Sequence, residues 1–268
     1  MTLLSKKSLG QHFLTSHSIL STMCDAAKIN PGDTVLEIGP GKGTLTAALL
    51  ERDAIVVALE KDRRLIPLLE QHFATHIAAK KLLLKETDVL DFTPEKLFTA
   101  PYKIVANIPY YITGAILEKF LSATLQPTSM TLLVQKEVAQ RIIARDNKES
   151  LLSISVKAYG TPRYIRSVAR GSFSPPPKVD SAIITIDTIS KKNFQNETEE
   201  KLFFNIVKAG FSHKRKMLKN NLSNIAIAHH TTPELVLEEA NIDSHTRSED
   251  LSLEKWLQVT KILGAQTS

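Results

Sequence analysis

The sequence predicts an α/β fold, a mostly parallel seven-stranded sheet with helices on both faces, followed by a small all-helical domain. Three observations predict it. From about residue 18 to about residue 187, short runs rich in Val, Ile and Leu alternate with amphipathic segments, the pattern of βαβ units whose strands are buried on both faces. After Arg145 the style changes to two strand-like segments associated with the stiff stretch "FSPPP" (173–177). Beyond residue 190 no strand pattern survives, and apolar residues recur at helical spacing instead.

Taken in order, the parallel strands are expected at "TVLEIG" (34–39), "AIVVALE" (54–60), "KLLLKETD" (81–88), "YKIVAN" (102–107) and "MTLLVQ" (130–135). Segments such as "GTLTAALLER" and "ITGAILEKFLSA" supply crossover helices. Pro67 in "DRRLIPLLEQHF" suits a helix only in or just past the first turn, with Asp62 as candidate cap. "TPRYIRSVA" and "KVDSAIITID" complete the seven as an antiparallel pair at the sheet edge. The polar run "SKKNFQNETEE" (190–200) then leads into "EKLFFNIVKAGF" and "DLSLEKWLQVTKIL", so domains are expected at 1–190 and 191–268.

Composition narrows the class. The 268 residues suffice for one large domain plus a small one, and 43% hydrophobic with 23% charged residues is ordinary globular usage. The stretch "MTLLSKKSLGQHF" has no apolar run of signal-peptide length, and no segment approaches a spanning helix. A soluble, cytoplasmic, monomeric protein without membrane association is the expectation. The single cysteine, Cys24, excludes an internal disulfide and a thiolate zinc site, and no metal is expected. Lys and Arg exceed Asp and Glu by 34 to 28, a net charge of +6 that favours a polyanionic partner.

The first chemical motif is "LEIGPGKGTLT" (36–46), where Gly39, Gly41 and Gly43 follow a strand and open a helix. Missing side chains there let a ligand lie against the backbone near a positive helix terminus. A dinucleotide fingerprint requires glycine at the sixth position, and this chain has Thr44. The G-x-G-x-G spacing with Glu37 just before it is instead the pattern of methyltransferases that use S-adenosylmethionine. A tight turn with no ligand is the competing reading. Glu60 closes the second strand, where a carboxylate can accept from both hydroxyls of a ribose, and Asp88 closes the third, where it can accept from an adenine amine. Either acid alone could merely cap the next helix.

"NIPY" (107–110) ends the fourth strand and so lies on the same rim. An exocyclic nucleobase amine is a poor nucleophile because its lone pair is delocalised into the ring. If the Asn107 side-chain oxygen and a nearby backbone carbonyl accept its two hydrogens, the lone pair is turned toward a methyl donor. Pro109 stiffens the backbone that holds those acceptors, and Tyr110 can stack on the base. An Asn-Pro-type turn followed by a packing aromatic is the alternative. In "GSFSPPPKVDSAII" (171–184) a second aromatic, Phe173, could close over the other face of a base extruded from its helix. No histidine is paired with an acid in a way that demands a catalytic dyad.

"GQHFL" (10–14), "LEIGPGKGTLT", "NIPYYIT" (107–113), "QKEVAQRI" (135–142), "FSPPPKVDSAI" (173–183), "FSHKRKML" (211–218) and "RSEDLS" (247–252) together closely resemble the KsgA/RsmA ribosomal RNA adenine dimethyltransferases, in order and over nearly the whole chain. The resemblance implies a Rossmann-like class I S-adenosylmethionine-dependent methyltransferase domain with a C-terminal helical domain. It implies dimethylation of two adjacent adenosines near the 3′ end of small-subunit (16S) ribosomal RNA, late in assembly of the subunit. Carried over residue by residue, cofactor contacts fall on His12, Leu14, Gly39, Gly41, Glu60, Asp88 and Asn107, and catalysis on Asn107, Pro109, Tyr110 and Phe173. Three positions depart from the family pattern: His12 stands where asparagine is frequent, Thr87 where glycine is common, and Tyr111 where asparagine is usual.

The basic residues Lys6, Lys7, Arg141, Arg145, the run His213 to Lys216, and Lys219 become candidate phosphate contacts. Two alternatives remain: a macrolide-resistance methyltransferase acting on large-subunit RNA, which shares the glycine loop and N-x-P-Y, and a non-catalytic RNA-binding assembly factor. "FSHKRKML" and "RSEDLS" favour the small-subunit enzyme. Glu60, Asp88 and "NIPY", kept together, speak for turnover.

Overall fold

The computed structural model describes residues 11–265, and Lys6 and Lys7 lie outside them. Among the described residues nine strands form: β1 (Phe13–Leu14), β2 (Thr34–Ile38), β3 (Ile55–Glu60), β4 (Leu82–Glu86), β5 (Lys103–Asn107), β6 (Ser129–Gln135), β7 (Thr161–Val168), β8 (Phe173–Ser174) and β9 (Ser181–Asp187). The helices up to β7 are α1 (His17–Ala26), α2 (Thr44–Leu50), α3 (Ile66–His72), α4 (Ala74–Ala78), α5 (Thr113–Ser122), α6 (Lys136–Ile142) and α7 (Leu151–Lys157). They are followed by α8 (Glu197–Gly210), α9 (Leu218–Ala228), α10 (Pro233–Glu239) and α11 (Leu253–Ala265).

Seven strands make one sheet in the order β4-β3-β2-β5-β6-β9-β7. The first five are parallel, with Leu36 opposite Val57 and Ile104, while β9 and β7 run antiparallel at one edge. That is the expected architecture. The central strands are apolar on both faces, since Val35, Leu36, Val56, Ala58, Ile104 and Val105 are all buried between helical layers. Alternation would have left one face wet. The order places the ends of β2 and β5 side by side where the chain reverses its direction of winding, the position at which open α/β sheets leave a crevice.

Pro67 sits in the first turn of α3, as its missing N–H requires. Asp62 does not cap that helix: its carboxylate accepts from the Arg64 guanidinium and backbone and from Gln11 Nε2. The sequence carries no sign of the small second sheet. There β1 pairs with β8, Phe13 opposite Ser174 and Leu14 opposite Phe173, and Thr15 N–H extends the ladder to Ser172 O at 3.0 Å.

Contacts divide the chain into two compact units. One comprises residues up to Ala139 with Thr161–Ile189; the other comprises Gln140–Gly160 with Ser190 onward. The second unit is therefore not one continuous C-terminal stretch, because a segment assigned from sequence to the region before 190 groups with the later helices. It contains α7, whose Ser150 and Ser153 form a reciprocal capping box. Trp256, Phe203 and Leu222 are buried in this unit, and Gly210 is glycine because a Cβ there would lie 2.2 Å from the Trp256 ring. No helix among the described residues is long and apolar enough to cross a membrane.

Candidate active site

The strand ends build the site. After β2 the chain turns through Pro40–Gly43, with Gly43 N–H donating to Pro40 O at 2.8 Å, before α2 begins. Gly39, Gly41 and Gly43 all have positive φ, at 69°, 59° and 81°, which favours glycine at each. Their missing side chains answer to different needs. A Cβ on Gly39 would meet nothing within 4 Å, on Gly41 it would press on the Phe13 ring at 3.0 Å, and on Gly43 it would overlap Phe73 at 2.5 Å. Gly43→Ala is therefore expected to cost roughly 2–4 kcal/mol, from a left-handed side chain plus overpacking. Urea unfolding of the variant beside the parent checks this.

One cavity of about 1160 Å³, counted to its open mouth, brings nearly all the candidates together. His12, Leu14, Gly39 and Gly41 line it, as do Glu60 from the end of β3 and Asp88 from beyond β4. Asn107, Pro109 and Tyr110 line it too, with Glu37 and Tyr111, the latter 64% exposed. Asp88 lies two residues past the end of β4, in the following turn, rather than closing the strand.

Phe173 is the exception. It is not among the residues lining the cavity; it is 4% exposed within the hydrophobic core that includes Leu14 and Ile183. Its register opposite Leu14 in the β1–β8 pair turns the ring inward, a consequence of a two-residue pairing that sequence does not announce.

Asn107 is fixed by a contact with β1. Its Nδ2 donates to the backbone carbonyl of His12 at 3.0 Å, and since a carbonyl only accepts, the amide orientation is determined. Oδ1 is left with no donor among the described residues. His12 in turn has Nδ1 2.9 Å from Pro175 O, which places the proton on Nδ1. The Tyr110 hydroxyl shares a 2.6 Å hydrogen bond with Ser181 Oγ at the start of β9, and burial pushes its pKa up. Thr113 Oγ1 donates to Tyr110 O, tying the motif to α5.

The electrostatics of the floor are acidic. Glu37 and Glu60 are 1% and 5% exposed. Burial pushes Glu37 up to about 8, and it also raises Glu60. Glu37 Oε2 accepts from Thr46 at 2.7 Å, whereas Oε1 has no partner. Glu60 accepts from the Gly41 and Asp62 N–H groups at 3.0 and 2.7 Å, which clamps the glycine turn to β3. The nearby cations each have a partner: Lys61 pairs with Asp88 at 2.5 Å, Arg64 with Asp62 at 2.6 Å, and Lys42 sits over the Phe13 ring. The hydrogen bond from Lys61 holds the Asp88 carboxyl below its usual range, and Leu90 N–H donates to its other oxygen. Glu37 thus keeps its proton at neutral pH, and Lys42 and Lys61 line the same cavity beside Glu60 and Asp88.

Sequence reasoning missed Ser181 and Pro175 as supports. Each lies inside a quoted motif, "FSPPPKVDSAI", and a half-buried tyrosine hydroxyl that must find a partner was the available signal for the first. Of the basic candidates, Lys214, Arg215 and Lys216 lie exposed in the loop between α8 and α9. Asn221 Nδ2 anchors that loop by donating to Gly210 O and His213 O. No group of His, Cys, Asp and Glu fit to hold a metal occurs among the described residues.

A family model described as ribosomal RNA adenine dimethylase matches residues 3–264. A relative named ribosomal RNA small subunit methyltransferase A from Dehalococcoides mccartyi is 43% identical over 258 residues, 95% of this chain and 87% of that protein. One of the same name from Clostridioides difficile is 36% identical over 268 residues, 98% and 92% of the two chains. Among solved structures, a dimethyladenosine transferase from Plasmodium falciparum superposes with a TM-score of 0.82 at 28% identity, covering 96% of this chain and 98% of that one. The 23S rRNA methyltransferase ErmE gives 0.76 at 25% identity, covering 94% and 99%.

Proposed function

The chain belongs to the ribosomal RNA adenine dimethylase family, and from that premise we propose that it dimethylates two adjacent adenosines near the 3′ end of small-subunit ribosomal RNA, with S-adenosylmethionine as donor. The observation that carries the reading is the Asn107 amide, locked by His12 O so that an unengaged Oδ1 remains in the cavity that Glu60 and Asp88 line.

The residues present fit the donor. Gly39 leaves backbone open to a ligand, and Glu60 at the end of β3 and Asp88 just past β4 offer carboxylate oxygens to it. Leu14 and His12 close the wall on the β1 side, and Gly41 serves indirectly, through its N–H to Glu60 and the room it leaves for Phe13. When bound, S-adenosylmethionine supplies an electrophilic methyl group on a positively charged sulfur.

The chain's own work is orientation. Asn107 Oδ1 accepts one hydrogen of the target amine and the Ile108 carbonyl the other, which draws the nitrogen lone pair out of conjugation. Pro109, with φ −59°, holds those two acceptors in fixed relation. Tyr110, braced by Ser181, supplies a face for the base. No strong base is required, because the amine proton becomes acidic once the nitrogen is alkylated. Phe173 pairs with Leu14 and so anchors β1, which adjoins His12. In this reading the first unit is the methyltransferase domain, and the basic loop of the second supplies phosphate contacts.

The test is transfer of labelled methyl from S-adenosylmethionine to undermethylated small subunits, with large subunits in parallel. Label confined to small-subunit RNA is expected. Label in large subunits would favour the macrolide-resistance type of activity, and none in either would favour a non-catalytic assembly factor.

A further inference from the structure

We propose that Asp62 is a positioning residue for methyl transfer: through Gln11 it holds the strap formed by residues 11–15 across the strand ends, and through that strap it sets the direction of the Asn107 amide. The proposal rests on the reading above. Asp62 is the buried acid to which that reading gives no task. It is 5% exposed, lies outside the lining of the cavity, and does not cap α3, which begins only at Ile66. A carboxylate taken out of water needs compensation. Arg64 supplies it as a fork, Nε to Oδ1 at 2.8 Å and a terminal nitrogen to Oδ2 at 2.6 Å, which fixes the carboxylate plane and holds the group well below its usual pKa range. It is therefore ionised and accepts only. Gln11 Nε2 donates to the same Oδ2 from 2.9 Å, across 51 residues of chain. The Asp62 N–H donates to Glu60 Oε1 while Gly41 N–H donates to Oε2, so one residue joins the glycine turn, the acid of β3 and the strap.

The strap is tied along its length. His12 O accepts from Asn107 Nδ2 at 3.0 Å, Leu14 O accepts from Thr44 Oγ1 at 3.0 Å, and Thr15 N–H reaches Ser172 O. The ladder to β8 begins only at Phe13, and the bond from the His12 ring ends on Pro175, the residue that follows β8. Both lie on one side. A rigid peptide plane turns about the torsions on either flank, so the His12 carbonyl keeps its direction when the chain before it is held as well. The Gln11–Asp62 bond is that hold. Because Asn107 Nδ2 follows the carbonyl, a swing of His12 O carries Oδ1 away from the target amine, and a misplacement of about 1 Å lowers a rate by about 10²-fold.

Gln11→Glu sets a carboxylate against a carboxylate and releases the strap. In Gln11→Glu/Asp62→Asn the new amide donates to the new carboxylate, the same bond with donor and acceptor exchanged. Hydrogen exchange read by mass spectrometry on the full chain is expected to show peptides spanning 11–15 exchanging about tenfold faster in Gln11→Glu, the loss of one hydrogen bond to a charged group. Peptides of β2 and β5 keep the parental rate and report an intact sheet. Single-turnover transfer to undermethylated small subunits at saturating donor falls roughly 10–100-fold in the same variant, and the double variant recovers both readings. With a parent that methylates small subunits, parental exchange in Gln11→Glu would overturn the inference and leave the proposed function standing. So would a loosened strap with parental transfer, or a double variant that fails to recover both. A parent that methylates no small-subunit adenosine would instead remove the function, and exchange alone would then decide whether Asp62 holds the strap.

Discussion

Asn107→Ala is expected to lower single-turnover methyl transfer by about 10²–10³-fold, the usual consequence of removing one preorganised partner of the reacting group, while donor affinity falls only modestly. The asymmetry follows from the geometry. The side chain spends its N–H₂ on His12 O at 3.0 Å, which preserves the wall of the cavity, and keeps only Oδ1 for the amine. Without it the target amine retains a conjugated lone pair, and a single backbone acceptor cannot rotate it. Asn107→Asp sharpens the point: a carboxylate cannot donate to the His12 carbonyl, so it would be repelled from its anchor even though it offers acceptors. The aspartate variant should therefore be as impaired as alanine. Rapid-quench transfer with labelled donor, together with calorimetric titration of the donor, separates the two effects. Turnover equal to the parent in Asn107→Ala would remove the lone-pair argument.

Much of this was legible in the sequence, and the remainder has identifiable physical reasons. Val-, Ile- and Leu-rich runs of strand length specify a buried parallel sheet, because no other element buries both faces over five residues. The rim followed at once, since Gly39, Glu60 and Asn107 close or follow successive runs and parallel strands end on the same side. What was hidden depends on long-range pairing. Whether Phe173 faces a ligand or the core is decided by register, and that register is set by the two residues of β1, far earlier in the chain. The three glycines were recognised as a set, but their separate tasks were not, because the rings of Phe13 and Phe73 that need the space come from distant segments. The grouping of Gln140–Gly160 with the late helices was invisible for the same reason: its helix α7 is seven residues long, and only its partners reveal where it belongs. Ser181 and Pro175 sit in motifs that could be quoted, yet their role as braces appears only when the hydroxyl of Tyr110 and the imidazole of His12 are seen to end on them.

Glu37→Gln should flatten the dependence of stability on pH. Burial raises the Glu37 carboxyl from an ordinary value of 4.5 to about 8, with the Glu60 carboxylate adding in the same direction and the Thr46 hydroxyl bond opposing it. The native state therefore holds a proton that the unfolded chain gives up above pH 4.5. The stabilisation is full below that value and is lost as pH climbs through about 8, because folding must then either retain a proton against the solution or bury a charge. Glutamine has the same shape, still accepts from Thr46, and has no proton to lose. The variant should match the parent near pH 4.5 and exceed it by a few kcal/mol at pH 9, since each tenfold change in proton affinity between the folded and unfolded states is worth about 1.4 kcal/mol. Glu60, also raised, stays in both proteins and leaves a shared residual slope. Urea midpoints at about pH 5, 7 and 9 decide the matter: parallel profiles for parent and variant would mean that Glu37 is ionised in the folded protein throughout, with its unpartnered Oε1 reached by solvent or a cation after all.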